Sequence, residues 1–209
     1  MRLGIFGGSF DPVHYGHLLL AECCREQGRL DEVRFLPAAV PPHKQGRGLT
    51  PADIRMEMLE LALAGQSEFS VCRYEADRGG VNYTVDTLTH FRESEPRAKL
   101  FFLLGADMLH DLPNWRNAAR VCQLAIPVAV RRWGSKPPDF DVLSEIASAD
   151  RLEQIRRHLV EMPEIGISST ELRRRVSAGM SIRYQTPRAV EKLIEARRLY
   201  GRQGEGVMG

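Results

Sequence analysis

Two histidines, His14 and His17, stand three residues apart in the stretch Gly7-Gly8-Ser9-Phe10-Asp11-Pro12-Val13-His14-Tyr15-Gly16-His17. It follows the compact apolar run Leu3 to Phe6 and enters an amphipathic run from His17 to Arg29, so it reads as a strand-to-helix turn. Such turns are where open α/β sheets take up ligands. Gly7 and Gly8 lack a Cβ, which lets their backbone approach a phosphate closely. The start of the following helix offers unpaired N–H groups and a positive dipole end to an anion. Two imidazoles add donors that follow charge as it builds on a phosphoryl group. A hydrogen bond to a charged group is worth about 1.5–3 kcal/mol, so two that strengthen in a transition state supply on the order of 10²–10⁴ in rate. A glycine pair can also be only a tight turn. Two histidines at this spacing can also bind zinc, with His43, His90, His110 and His158 as loose candidates for further ligands. The stretch matches neither Gly-x-x-x-x-Gly-Lys-Ser/Thr nor Gly-x-Gly-x-x-Gly.

Four more motifs follow in order. Pro41-Pro42-His43-Lys44 comes after the second apolar run, and Tyr83-Thr84-Val85-Asp86-Thr87-Leu88 opens a helix. Gly105-Ala106-Asp107 closes an apolar strand with Trp115 eight positions beyond Asp107, and Ile167-Ser168-Ser169-Thr170-Glu171-Leu172-Arg173 opens another helix. The first motif resembles the signature of the nucleotidyltransferases that share His-x-Gly-His with class I aminoacyl-tRNA synthetases. The full set, in this order, resembles the bacterial nicotinate-nucleotide adenylyltransferases.

The resemblance implies that AMP passes from ATP to nicotinate mononucleotide with no covalent enzyme intermediate. It assigns ATP to Gly7, Gly8, Ser9, Phe10, His14, His17, Gly105, Asp107, Ile167, Ser168, Ser169 and Arg173, and the mononucleotide to Lys44, Tyr83, Thr84, Asp107 and Trp115. His14, His17, Lys44 and Arg173 carry the catalytic expectation. Each role has a plainer alternative. Lys44 is a mobile point charge over phosphates or a solvated loop lysine. Trp115 is a stacking platform, worth about 1–3 kcal/mol, or core. The N–H groups of the helix begun by Tyr83 and Thr84 receive a carboxylate or are merely capped. Asp107 accepts from ribose hydroxyls or caps its loop. Ser168 and Ser169 cap their helix while Arg173 reaches a phosphate; Arg174 and Arg175 read as solvent-facing. Magnesium is expected on the substrate phosphates, because the sequence shows no carboxylate cage. Where the family shows Arg-Pro-Gly, this chain has Arg132-Trp133-Gly134 after an extra Arg131.

The elements that must position these groups alternate. Strands are expected at Leu3–Phe6, Val33–Leu36, Phe69–Cys72, Leu100–Leu104 and Leu124–Val130, the last as an edge or bulge because Pro127 lacks a donor. Helices are expected at His17–Arg29, Pro51–Ala64, Val85–Phe91, Thr170–Ala178 and Pro187–Leu199. In the second, Thr50 is the expected cap, with Ile54, Met58, Leu61 and Ala62 on the apolar face. The pattern predicts an α/β fold: one doubly wound, Rossmann-like parallel sheet with helices on both faces. Residues 1–200 read as one domain and 201–209 as a loose Gly-rich tail.

A chain of 209 residues with 43% hydrophobic and 27% charged residues suits a globular domain, and a net charge of +2 gives no whole-molecule field for nucleic acid. Residues 171–202 hold nine Lys or Arg against three acids, either a solvated face or a phosphate-facing patch. Cysteines at 23, 24, 72 and 122 form no Cys-x-x-Cys pair and read as reduced thiols. With no leader and no membrane-length apolar run, the cytoplasm is the expected compartment, with ATP and the mononucleotide as partners and homo-oligomerisation left open. Rival readings are a sister enzyme acting on nicotinamide mononucleotide or phosphopantetheine, a non-catalytic nucleotide sensor, and an Arg-rich nucleic-acid module.

Overall fold

The structure, a computed structural model, describes residues 1–39 and 49–201. The Pro41 to Lys44 motif, and with it the expected role of Lys44, lies outside the described residues, as does the tail from 202. The chain runs β1 (Arg2–Gly8), α1 (Tyr15–Gly28), β2 (Glu32–Pro37), α2 (Ala52–Leu63), β3 (Phe69–Val71), α3 (Tyr74–Arg78), α4 (Thr84–Ser94), β4 (Lys99–Gly105), α5 (Ala106–Asp111), α6 (Ala118–Leu124), β5 (Ile126–Arg132), α7 (Ala149–Arg157), β6 (Val160–Met162), α8 (Ser169–Ser177) and α9 (Arg188–Ala196). Short 3₁₀ turns at Leu112–Asn114 and Asp141–Leu143 link the later elements.

The strands form one sheet in the order β3-β2-β1-β4-β5-β6, every neighbour parallel. β1 and β4 are almost wholly apolar because helices must cover both faces of a parallel sheet. Strand order reverses at β1, and right-handed crossovers then place the connections of the two halves on opposite faces. This is the doubly wound α/β architecture the alternation predicts. β1 pairs with β4 only from Arg2 to Ile5, although the strands run on to Gly8 and Gly105. Their C-terminal ends therefore part, and the crevice at the reversal lies between them.

Several expectations need correction. α1 begins at Tyr15 rather than His17, with His14 in the extended N-cap position. Pro51, not Thr50, precedes the first turn of α2, and Leu61 is exposed while Met56, Met58, Leu59 and Leu63 are buried. β5 is an interior strand, but β6 joins it only from Val130 onward. Pro127 thus pairs with Phe102 on one side and meets no ladder partner on the other, so its missing donor costs nothing there. β6, α3, α5, α6 and α7 were not anticipated; the first four are short, at three to seven residues. The backbone of edge strand β6 is closed by Gln27, whose amide donates to Glu161 O (2.7 Å) and accepts from Glu161 N (3.0 Å). Among the described residues no helix is long and apolar enough to cross a membrane.

Candidate active site

The turn between β1 and α1 sits at the mouth of the crevice, and its shape follows from local sterics. Phe10 has φ +46°, unusual for a residue with a Cβ, and its ring is fully buried. A Cβ on Gly8 would lie 2.9 Å from that ring, so glycine at 8 makes room for it; at Gly7 the same position is open space. Gly16 plays the corresponding part for His14, since a Cβ there would come within 3.0 Å of the imidazole. The two glycines that flank the turn therefore admit one ring each.

The His14 and His17 rings stack, centroids 3.7 Å apart and planes 22° from parallel. The His14 backbone N–H donates to His17 Nδ1 at 3.3 Å, which orients the second ring. Phe10 meets His17 edge-on at 5.1 Å. His14 is buried, and burial pulls its pKa down to about 4, so with no anion nearby its ring is neutral at physiological pH. Its Nδ1 is buried, and the His17 backbone N–H approaches the ring in a capping-box arrangement.

Carbonyls would repel a phosphate, and five in this turn accept from protein donors. Gly8 O accepts from Ala38 N (2.9 Å), Ser9 O from Arg55 Nη1 (2.8 Å), and Asp11 O from Arg173 Nη1 (2.7 Å). Pro12 O accepts from Ser169 Oγ (2.9 Å) and Val13 O from Thr186 Oγ1 (2.7 Å). The buried Asp11 carboxylate accepts from Tyr200 Oη (2.5 Å) and Thr50 N (3.3 Å). Thus Arg173 and Ser169, from the first turns of α8, reach the turn that holds the histidines. Ser168 caps α8 by accepting from Glu171 N, and Ile167 packs against the core.

Part of the basic C-terminal third is neutralised in ion pairs: Arg174 with Glu171, Arg188 with Glu191, Lys192 with Glu195 and Arg197 with Glu57. Arg175 is half-buried, and its Nε donates to Ser181 O at 2.9 Å in an exposed setting. Arg131 is likewise engaged by Glu161. Trp133, the departure from Arg-Pro-Gly, is 58% exposed beyond β5.

Across the crevice, Gly105 precedes α5, and a Cβ on it would lie 2.5 Å from Asp107 Oδ1. Asp107 itself is exposed at the C-terminal end of β4. Trp115 is half-buried; its indole N–H donates to Asp111 Oδ2 (3.2 Å) and its ring meets Phe102 edge-on at 5.8 Å. The next residue, Arg116, lies over the Tyr83 ring at 4.5 Å. That contact draws the Trp115 segment to the start of α4, where Tyr83 holds the extended N-cap position without a side-chain cap. Asn82 fixes this entry, its amide donating to Glu75 O (3.1 Å) and Gly79 O (3.3 Å). Thr87 donates to Glu75 Oε1 at 2.7 Å. The expected residues therefore form two groups, one at each side of the strand split.

Sequence reasoning missed Arg55, Asp11, Thr186, Tyr200, Asn82 and Arg116 as members of this framework. Arg55 carried a readable signal: it shares a helical face with Met58, Leu59 and Ala62, and is as buried as they are. Its guanidinium also donates to Thr50 O and Ala38 O, each at 2.8 Å. Tyr200 and Thr186 gave none, because their acceptors lie 189 and 173 residues away. Among the described residues no three His, Cys, Asp or Glu converge as a metal-binding group.

Comparison with known proteins bears on the same residues. The cytidylyltransferase-like family model matches residues 5–175. A protein of Thermomicrobium roseum named a probable nicotinate-nucleotide adenylyltransferase is 44% identical over 199 residues, covering 95% of this chain and 91% of that one. One of the same name from Thermus thermophilus is 46% identical over 202 residues, 96% of this chain and all of that one. The fold superposes on Plasmodium falciparum nicotinic acid mononucleotide adenylyltransferase complexed with NaAD at a TM-score of 0.76, over 95% of this chain and 97% of the other. Sequence identity in that pair is 20%, so it speaks for the fold alone. The two bacterial sequences align along nearly their whole lengths, and identity of that extent means that the chain belongs to the cytidylyltransferase-like family and, within it, to the nicotinate-nucleotide adenylyltransferases.

Proposed function

We propose that this chain transfers AMP from ATP to nicotinate mononucleotide, giving deamido-NAD and pyrophosphate. The 5′-phosphate oxygen of the mononucleotide attacks the α-phosphorus in line; the bond from that phosphorus to the bridging oxygen breaks, and pyrophosphate leaves with the electron pair. The nucleophile is already an anion, so no general base is needed. Catalysis is then positioning and stabilisation of charge.

In this reading His14 and His17 meet the triphosphate, with Gly7, Gly8, Ser9 and Phe10 shaping the turn. Bound phosphate charge favours protonation of His14, reversing the effect of burial on an empty site. Arg173, already bonded to Asp11 O, brings a fixed positive charge to the same turn, and Lys44 adds another. Gly105, Asp107, Ile167, Ser168 and Ser169 take the nucleoside end of ATP. Tyr83 and Thr84 receive the nicotinate carboxylate at the open start of α4, and Trp115 stacks on the pyridine ring. A divalent ion enters as part of the substrate, MgATP, where it screens the phosphate oxygens. Asp11, the carboxylate within the turn, has both oxygens engaged by Tyr200 and Thr50, which suits an ion held by phosphates and water.

The observation that carries the proposal is the stacked histidine pair at the strand split of a chain from this family. Pyrophosphate release from MgATP, with nicotinate and nicotinamide mononucleotide offered separately, tests it. We expect the larger kcat/KM with nicotinate. Release with neither would defeat the proposal, and a preference for nicotinamide would reassign the acceptor. His17→Ala is expected to lower kcat at least tenfold with little change in fold; near-normal turnover would remove the catalytic role of that ring.

A further inference from the structure

We propose that Tyr200 is a positioning residue for adenylyl transfer, its hydroxyl holding Asp11 and through it the turn that sets His14 and His17. The inference rests on the function proposed above but concerns a residue that touches neither substrate.

The turn is poorly suited to hold itself. Phe10 sits in the left-handed region, and the carbonyls at 9, 11, 12 and 13 take their donors from α2, α8 and the segment before α9. Asp11 is the one acidic member of the turn, its side chain turns inward, and it is 1% exposed. A buried carboxylate is costly unless it is hydrogen-bonded. Of its two described partners, the Thr50 amide is long at 3.3 Å and the Tyr200 hydroxyl short at 2.5 Å. The hydroxyl is therefore the stronger tie. Without it the carboxylate must find another donor, and moving Asp11 moves the carbonyl that anchors Arg173 and the start of α1, three residues on.

The C-terminal segment is built to deliver that hydroxyl. α9 lies against α2, and Arg197 bridges to Glu57 at 2.7 Å. Beyond α9 the chain turns back through two left-handed residues, Arg198 (φ +51°) and Tyr200 (φ +60°), and the phenol meets Asp11. Adjacent elements α2 and α9 thus reach the same turn, one through Arg55 to Ser9 O and the other through Tyr200 to Asp11.

Tyr200→Phe in the full chain removes the hydroxyl and keeps the ring. We expect kcat to fall about tenfold, since a misplacement of 1 Å costs on the order of 10²-fold, while the KM values for MgATP and mononucleotide stay within about twofold. The imidazole ¹H–¹⁵N signals of His14 and His17 should shift in the ligand-free variant. Lys192→Ala removes an exposed ion pair with Glu195 on α9 and leaves the hydroxyl in place; its kcat should stay within about twofold of the parent. All are compared where circular dichroism shows each protein folded. Unchanged kcat or unchanged imidazole signals in Tyr200→Phe would overturn the proposal, as would a Lys192→Ala protein equally slow. If the parent releases no pyrophosphate, the proposed function falls, while the imidazole signals still decide whether Tyr200 sets the turn.

Discussion

The turn from Ser9 to His14 draws its donors from residues 39 to 189 positions away, whereas the side-chain hydrogen bonds around the turn from Gly79 to Thr84 come from within twelve. Both precede a helix start, and both are offered here to an anionic part of a ligand. The first takes Arg55, Arg173, Ser169, Thr186 and Tyr200 from four separate places in the chain. The second takes Asn82 and Glu75, neighbours in sequence. Where phosphorus changes hands, atoms must be held to a fraction of an ångström, and a turn tied from many directions has few ways to yield. A carboxylate received by helix N–H groups asks less of its surroundings, and local bonds suffice.

Breaking a distant tie should therefore cost the most. Arg55→Met removes the guanidinium donor from the partly buried carbonyls of Ser9, Thr50 and Ala38. A loss of about 3–5 kcal/mol of folding stability is expected in urea unfolding; less than 1 kcal/mol would show that the remaining ties hold the turn.

Acid tests the same region. Because burial holds the pKa of His14 at about 4 rather than 6.5, the native state binds that proton less readily than the unfolded chain. The stability this contributes is complete above pH 6.5 and is lost as pH falls towards 4, about 2–3 kcal/mol between pH 7.5 and 4.5. His14→Gln should flatten that dependence. An unchanged slope would mean that His14 is charged in the empty site.

On the other side of the crevice, effects should stay local. Trp115→Ala is expected to raise the KM for the mononucleotide about tenfold by loss of stacking, with the KM for ATP nearly unchanged. An equal rise in both would argue against the ring as a platform. Asn82→Ala should be the mildest, raising the mononucleotide KM about threefold through loss of roughly one hydrogen bond. If it lowered kcat at saturation instead, the two regions would not be independent, and the contrast between distant and local ties would fail.

Legibility followed the same division. The strand runs at Leu3–Phe6 and Leu100–Leu104 were readable because burial on both faces demands continuous apolar residues. The start of α1 was misread by two residues because His14 takes the N-cap position usually held by Ser, Thr, Asp or Asn. Pro127 argued for an edge, and only the short reach of β6 explains its place in an interior strand. The histidine turn and the motifs at Tyr83, Gly105 and Ser168 were visible as residue types at set spacings. That Arg173, alone among the three consecutive arginines, bonds the turn depended on where α8 lies, and the pairing of Arg174 with Glu171 removed its neighbour from contention.

Read by itself, the chain determined its alternation of strand and helix, its parallel sheet and the residues that could meet phosphate, because each of these is written in periodicity or in neighbours a few positions apart. The tertiary structure alone decided what holds those residues still. Asp11 and Tyr200 meet across 189 positions, and no local pattern encodes a contact that only the docking of α9 on α2 brings about.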